Sequence, residues 1–400
     1  NFGAGGKASA QLIADLFAKN FSNEFLDQGD DGARLPQPKG ELIMATDSHV
    51  VSPIFFAGGD IGGLSIHGTV NDVAVCGAGM SGVAAAASAS ENGLSVVLLE
   101  KEATFAARGT EVAAFGDRAH AEADIVLNAR DFMNDGLTTA HFRCDRSVWE
   151  RWCERSGEAL DWAMDAVGDA CGAFTAKAGN AEFCGVTTWG SGVRIEKGIA
   201  SFVETLLGIA EGQGADIRYN TPAVQLAVQD GKVTGVYAKS ADGIIKVEAA
   251  KGVVLATGGF SGNPDMLREY NTLWPFAENG PIPTTNAYGH TGDGITMGLA
   301  AGGTVAAMDV QMPFPFADCQ NSTDETTVGD DIDCVIVNKN GERFMNEVLD
   351  RFTMTEFIMA QPDETMFMIS DADTCRVNGD VNRYGHSLQR LIDQGQLYRA

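Results

Sequence analysis

The chain has 400 residues, with 28 Lys and Arg against 54 Asp and Glu, and a net charge of −26 at pH 7. That balance argues against nucleic acid or an anionic membrane as the main partner, because both select basic surfaces. With 44% hydrophobic and 20% charged residues, the composition is globular and sufficient for two or three domains. Its 48 glycines are spread along the chain and point to tight turns and close backbone approaches. The eight cysteines form no C-x-x-C pair. No metal or iron–sulfur site is expected, and the thiols read as the reduced cysteines of a cytoplasmic protein. No run of about 18 apolar residues occurs. The opening lacks a signal-peptide pattern, and both ends read as cut, so a fragment is expected.

In chain order, residues 8–21 carry Leu12, Ile13, Leu16, Phe17 and Phe21 on one stripe and predict an amphipathic helix. Residues 42–46 predict a short strand, and residues 50–56 a second one bent at Pro53. Gly58, Gly59 and Gly62 form a turn that can open a helix. The strings GAGGKAS (3–9), MATDSHVVSPIFFAGGDIG (44–62) and HGTVNDVAV (67–75) resemble the N-terminus of the hydrogenase maturation factor HypE family. The resemblance implies a partial α+β segment of an ATP-binding fold, with Asp47, Asp60, Asn71 and Asp72 near Mg²⁺ and the ATP phosphates. Oxygen ligands of that kind suit a hard cation. The rest of that fold, and the C-terminal cysteine that family modifies, are not in the sequence. The other reading of the same acids is as solvated turn residues.

Residues 72–76 are a short apolar run, followed by Gly77-Ala78-Gly79-Met80-Ser81-Gly82, a small-residue helix over 83–90, an apolar run over 94–99 and Glu100. This order of strand, glycine turn, helix, strand and acid is a dinucleotide-binding unit. Gly77 permits the turn, Gly79 lets backbone approach a pyrophosphate, and Gly82 lets helix and strand pack closely. The helix start at Met80 and Ser81 offers free N–H groups to phosphate, and Glu100, followed by Lys101, can accept from ribose hydroxyls. Residues 147–167 predict a helix whose Trp149, Trp152 and Trp162 are core residues. Residues 221–228 and 233–239 predict a hairpin turned at Asp230-Gly231. The apolar run 251–255 ends in Ala256-Thr257-Gly258-Gly259, and behind a dinucleotide unit this strand end argues for FAD.

The strings VAVCGAGMSG (73–82), VVLLEK (96–101), GKVTGV (231–236), GVVLATGGF (252–260), GHTGDGITMGLAAGG (289–303) and VNKNGERFMNE (337–347) resemble the fumarate reductase/succinate dehydrogenase flavoprotein family. The expected fold is therefore α/β: a Rossmann-like FAD-binding domain over residues 72–263 and an α+β capping domain over residues 264–400, preceded by the HypE-like residues 1–71. The resemblance implies FAD as cofactor, flavin contacts from Gly292, Asp293 and Gly294, and adenine contacts from the backbone at Ala223 and Val224. It implies hydride transfer from flavin N5 to an activated carbon–carbon double bond, in an enone or unsaturated acid, with electrons from a separate donor. Arg351 stands where that family carries its proton-donating arginine, with Glu347 and Arg343 as relay residues; the alternative for Arg351 is an ion pair with Asp350 or Glu347 at a helix start. Where the family carries a Gly-Gly-Asn/Ser string under the flavin, this chain has Ala106-Ala107-Arg108-Gly109-Thr110, which leaves Arg108 and Gly109 as candidate contacts. Met308-Asp309-Val310-Gln311-Met312-Pro313 replaces the family's His-Pro substrate clamp and makes a dicarboxylate less fitting. Met312, Phe314 and Phe316 suggest a more apolar substrate, or core packing. The family's final glycine-rich FAD segment is missing, and His290 and His386 read as structural or exposed.

The two resemblances meet at residues 67–82 and conflict. The first makes residues 60–75 one helix; the second makes residues 73–76 a strand. The strand is expected to prevail, with residues 1–70 a loosely attached subdomain. A chimera joined at the shared wording N-D-V-A-V-x-G-A, from recombination or assembly error, is the expected origin. The competing readings are an ATP-binding maturation protein and an inactive fragment.

Overall fold

The computed structural model describes residues 71–109, 111–176, 191–241, 243–273, 282, 284–313, 315, 334–371, 387–395 and 397–398. The chain divides into Asn1–Ile43 and Met44–Ala400, and all described residues belong to the second unit. The expected helix over 8–21, the strands at 42–46 and 50–56, and Asp47, Asp60, Phe314, Phe316 and His386 lie outside the described residues.

The strand prevails at the junction. β1 (Asn71–Cys76) is followed by α1 (Met80–Glu91) and β2 (Val96–Leu99), and β1 pairs parallel to β2 on one side. On its other side β1 pairs parallel to β9 (Gly243–Leu255). Asn71 and Asp72 are therefore sheet residues. The Asp72 carboxylate accepts from Ser95 N at 3.0 Å and from Ser95 Oγ at 2.9 Å. These bonds from Ser95, helped by Lys251, hold Asp72 below the usual carboxylate range.

The main sheet runs β6-β2-β1-β9-β8-β7, with β6 at Asp216–Arg218, β7 at Ala223–Gln229 and β8 at Lys232–Ser240. Alternation along β1 and β2 divides the core between two faces. Val75 and Leu98 face α1 and α5 (Gly198–Gly212), where Phe202, Val203 and Leu206 are buried. Ala74, Cys76, Val97 and Leu99 face the other way, onto Val236, Val247 and Met297. The β7–β8 hairpin forms as expected, with left-handed φ of 51° at Asp230 and 74° at Gly231, the pattern of a primed turn. The strand expected from residue 251 begins earlier: the first half of β9 lies antiparallel to β8, and its second half turns parallel along β1.

An insert between β2 and α5 holds β3 (Val112–Ala113), α2 (Arg118–Glu122), α3 (Ala129–Thr139), α4 (Arg146–Val167), β4 (Phe174–Ala176) and β5 (Gly192–Ile195). The three strands form a sheet in the order β3-β5-β4. Trp149 and Trp152 pack on Phe132 with ring centroids at 5.5 and 5.2 Å, and Trp162 Nε1 donates to Glu91 at 2.7 Å. After β9 come α6 (Pro264–Tyr270), α7 (Asp293–Ala300), β10 (Val335–Val337), α8 (Arg351–Met359), β11 (Phe367–Ile369) and α9 (Leu388–Asp393). β10 and β11 pair antiparallel over a small core of Ile336, Met345, Met354 and Ile358. Among the described residues no helix is long and apolar enough to cross a membrane.

Candidate functional site

Three strand ends converge on one place. Gly77 follows β1 with φ 107°, and a Cβ there would strike the Ala256 carbonyl at the end of β9. A Cβ on Gly82 would strike the Gly77 carbonyl, so α1 can cross the sheet here only as glycine. Gly79 differs: among the described residues a Cβ there would meet nothing within 4 Å. Its backbone is extended, it caps α1 without a side-chain bond, and no acidic residue occupies the first turn of the helix. The free N–H groups and the positive end of the helix dipole thus face open space beside Gly79, Met80 and Ser81.

Glu100 is buried at the end of β2. Its Oε2 accepts from Ala78 N at 2.6 Å, and its Oε1 accepts from Glu102 N at 2.8 Å. It braces the glycine turn from within the protein while keeping lone pairs for hydroxyl donors. Burial pushes the Tyr219 phenol up, and Glu100 and Glu211 add to that shift.

The turn before α7 closes the third side. Gly292 has φ 80°, and its N–H donates to Gly259 O at 3.0 Å. Gly294 N donates to Thr257 Oγ1 at 3.0 Å. Lys101 Nζ reaches across to Thr291 Oγ1 at 2.9 Å and to Asp293 Oδ2 at 2.8 Å. Lys101 is thus a strut between the end of β2 and the start of α7. Gly258, with φ 72°, lies under the His290 ring, which a Cβ would meet at 3.0 Å. Asp293 and Val224 share a cavity of about 300 Å³ with Pro222, Ala223, Thr296 and Met297. Arg108 and Gly109 are exposed on the segment after β2.

These residues fit FAD. A pyrophosphate needs a glycine without a neighbour at an acid-free helix start, and Gly79 supplies one. Ser261 Oγ, just past the β9 end, is shut off from solvent with no partner among the described residues, a donor suited to a bound group.

The candidate catalytic residues sit on the segment from β10 to α8. Glu347 accepts from Ile336 N at 3.0 Å, from Arg343 Nε at 3.0 Å and from Arg343 Nη2 at 2.5 Å. The Arg343 guanidinium comes first among the groups that hold Glu347 below the usual carboxylate range, against the opposing effect of burial. Glu347 in turn raises Arg343. Arg351 is the first residue of α8, and its Nε is closed off from solvent. Asp350 caps the helix, accepting from Thr353 N at 3.0 Å and from Thr353 Oγ1 at 2.7 Å. His141, on the α3–α4 connector, reaches Asp350 from 209 residues away; no sequence spacing pointed to it. Met308 is buried with Phe260, Leu267 and Ile295, whereas Met312 is 59% exposed.

Residues 72–372 match the FAD binding domain family, three quarters of the chain. The chain belongs to that family. It is 29% identical over 332 residues to a fumarate reductase (cytochrome) of Shewanella frigidimarina, covering 80% of this chain and 55% of that one. It is 29% identical over 294 residues to a vinyl phenol reductase of Lactiplantibacillus plantarum, covering 70% and 57%. The N-terminal segment is 62% identical over 77 residues to a carbamoyl dehydratase HypE of Cupriavidus necator, covering 19% of this chain and 22% of that one. Among solved structures it is similar to a 3-ketosteroid-Δ4-(5α)-dehydrogenase of Rhodococcus jostii RHA1, with a TM-score of 0.59 and 22% identity over 76% of this chain and 67% of that one. That likeness bears on the fold. The chain spans little more than half the length of these two reductases and about a fifth of the HypE relative.

Proposed function

We propose that this chain is the flavin-binding part of an oxidoreductase that adds a hydride and a proton across an activated carbon–carbon double bond, or removes them in reverse. The observation that carries this reading is the cradle at the ends of β1, β2 and β9, with its open space at Gly79. Bound FAD supplies the hydride, from its N5. The chain's own contribution is the proton. Arg351 is the donor, with its Nε held away from water at the start of α8. An arginine donates only where a carboxylate and a path to solvent return its proton. Buried Glu347, joined to the exposed Arg343, supplies the carboxylate end of that path. The relatives, a fumarate reductase and a vinyl phenol reductase by name, support the reaction class. The Met308–Pro313 stretch lacks a histidine to clamp a dicarboxylate, which favours an enone or an unsaturated acid with an apolar body. The electron donor is a separate partner.

The test begins with the visible spectrum of the purified chain and identification of the cofactor released by heat. Anaerobic oxidation of reduced methyl viologen by fumarate, 4-vinylphenol or an enone steroid then reports turnover. Arg351→Ala is expected to lower kcat at least 100-fold, the scale of general acid catalysis, with FAD content unchanged. A protein that stays colourless after added FAD, or an R351A variant with wild-type kcat, would overturn the reading.

A second proposal concerns origin. The HypE-like segment and the flavoprotein segment are joined pieces of two genes, fused at the wording both share over residues 71–75. Sequencing source DNA across residues 68–82 tests this; the same contiguous gene in independent samples would refute assembly error.

A further inference from the structure

The α3–α4 connector crosses from the inserted helices to the segment that carries Arg351. His141 and Phe142 both have left-handed backbone, with φ of 51° and 57°. Two successive non-glycine residues in that region are strained, and such strain gathers where surrounding structure over-determines it. The connector is held at its base, where His141 N donates to Thr138 O at 2.9 Å and Phe142 N to Leu137 O at 2.8 Å. Beyond it, Arg143 pairs with Asp309, which also accepts from Thr272 Oγ1.

His141 touches three of the residues around Arg351. Its Nε2 lies 3.3 Å from Asp350 Oδ1 and 3.3 Å from Thr353 Oγ1, and its ring lies 4.5 Å from that of Phe352. Thr353 already gives its hydroxyl proton to Asp350. Burial works to raise Asp350, but the bonds from Thr353 and His141 outweigh it and keep the carboxyl below its ordinary range. A carboxylate that is ionised only accepts, so a hydrogen bond between the two groups requires the proton on His141 Nε2. The imidazole thus fastens the cap of α8 from outside the helix.

We propose that His141 is a positioning residue for Arg351: through Asp350, Thr353 and Phe352 it fixes the first turn of α8, and with it the direction of the guanidinium. The consequence for turnover rests on Arg351 as the proton donor. A small misplacement of a donor lowers the rate steeply while leaving substrate binding intact.

The variant of choice is His141→Asn. Asparagine tolerates left-handed backbone, so the connector keeps its path, but its amide stops short of the Nε2 position. His141→Gln places an amide N–H near that position and is the rescue. The first readout is hydrogen exchange at the Thr353 and Met354 amides in the full chain. In H141N these are expected to exchange about five to ten times faster, the scale of one lost net hydrogen bond, with H141Q close to wild type and FAD content unchanged. The second readout is steady-state kinetics, with kcat lowered about tenfold and KM within twofold in H141N. Unchanged exchange in H141N overturns the proposal whatever the activity. So does wild-type kcat in H141N when R351A is inactive. If R351A retains full activity, the proton-donor reading falls, and the exchange result alone decides whether His141 fixes the turn.

Discussion

Replacing Gly79 with alanine separates cofactor binding from folding. Among the described residues a Cβ at Gly79 meets no neighbouring atom within 4 Å, and its backbone, at φ −79° and ψ 179°, is open to any residue. The apoprotein should therefore melt within a few degrees of wild type: alanine loses a little as a helix cap and recovers about as much by stiffening the unfolded chain. The added methyl projects into the space for the pyrophosphate. Displacing a phosphate oxygen from one N–H at the helix start removes a charge-assisted bond worth about 1.5–3 kcal/mol, which is roughly 10- to 150-fold in Kd. Gly82→Ala is the contrast. Its methyl would run into the Gly77 carbonyl, a backbone atom that cannot turn aside. It should cost about 1–3 kcal/mol of stability or more, and FAD should be lost together with folding. Thermal melts of the apoproteins and fluorescence titration with FAD measure both. Wild-type FAD affinity in G79A, or wild-type stability in G82A, would refute this account of the cradle.

Two further predictions concern ionisation. Folding lowers the Glu347 pKa through Arg343 and Ile336, so that contribution to stability is complete above the ordinary glutamate range and is lost as pH falls through it toward the folded value. Glu347→Gln should therefore flatten the stability curve between about pH 5 and pH 3; denaturant midpoints with an unchanged pH slope would contradict that. Burial pushes the Cys76 thiol up to about 12, so at pH 8 it should resist alkylation in the native protein while the partly exposed Cys144 reacts. Native labelling at Cys76, detected by peptide mass, would show that the β1 end opens.

Much of the FAD unit was legible because its information is local. The glycine turn, the alternation in 72–76 and 94–99, and the Asp230-Gly231 turn each specify a conformation within a few residues. The first half of β9 was missed because Ile244, Lys246 and Glu248 lie on partly or wholly exposed ground, so no apolar run marks the strand; its partner β8 defines it. Helix α5, which is not among the expected elements, carries a helical stripe in Ile199, Phe202, Val203 and Leu206. Lys101 was expected at the cofactor, and its observed partners, Thr291 and Asp293, are 190 and 192 residues away. His141 had no local signal at all: its partners lie more than 200 residues on, and its left-handed φ has no sequence mark in a histidine.

The junction shows how global packing decides a local contest. Residues 71–76 have a helix-compatible spacing on one side and a strand's alternation on the other. As a strand the segment gains hydrogen-bonded neighbours on both edges, β2 and β9, and buries Ala74, Val75 and Cys76 completely, against opposite faces of the sheet. A helix over the same residues would bury one stripe and leave the edges of β2 and β9 without their middle strand, and unpaired buried backbone groups are costly. The next residue confirms the choice physically. Gly77 N donates to Leu99 O at 2.7 Å, and Ala256 N donates to Cys76 O at 2.9 Å, so the glycine turn is hung from both neighbouring strands. The FAD cradle and the strand therefore form together or not at all. Any sequence change that restored helix over 71–76 would remove the cofactor site along with it.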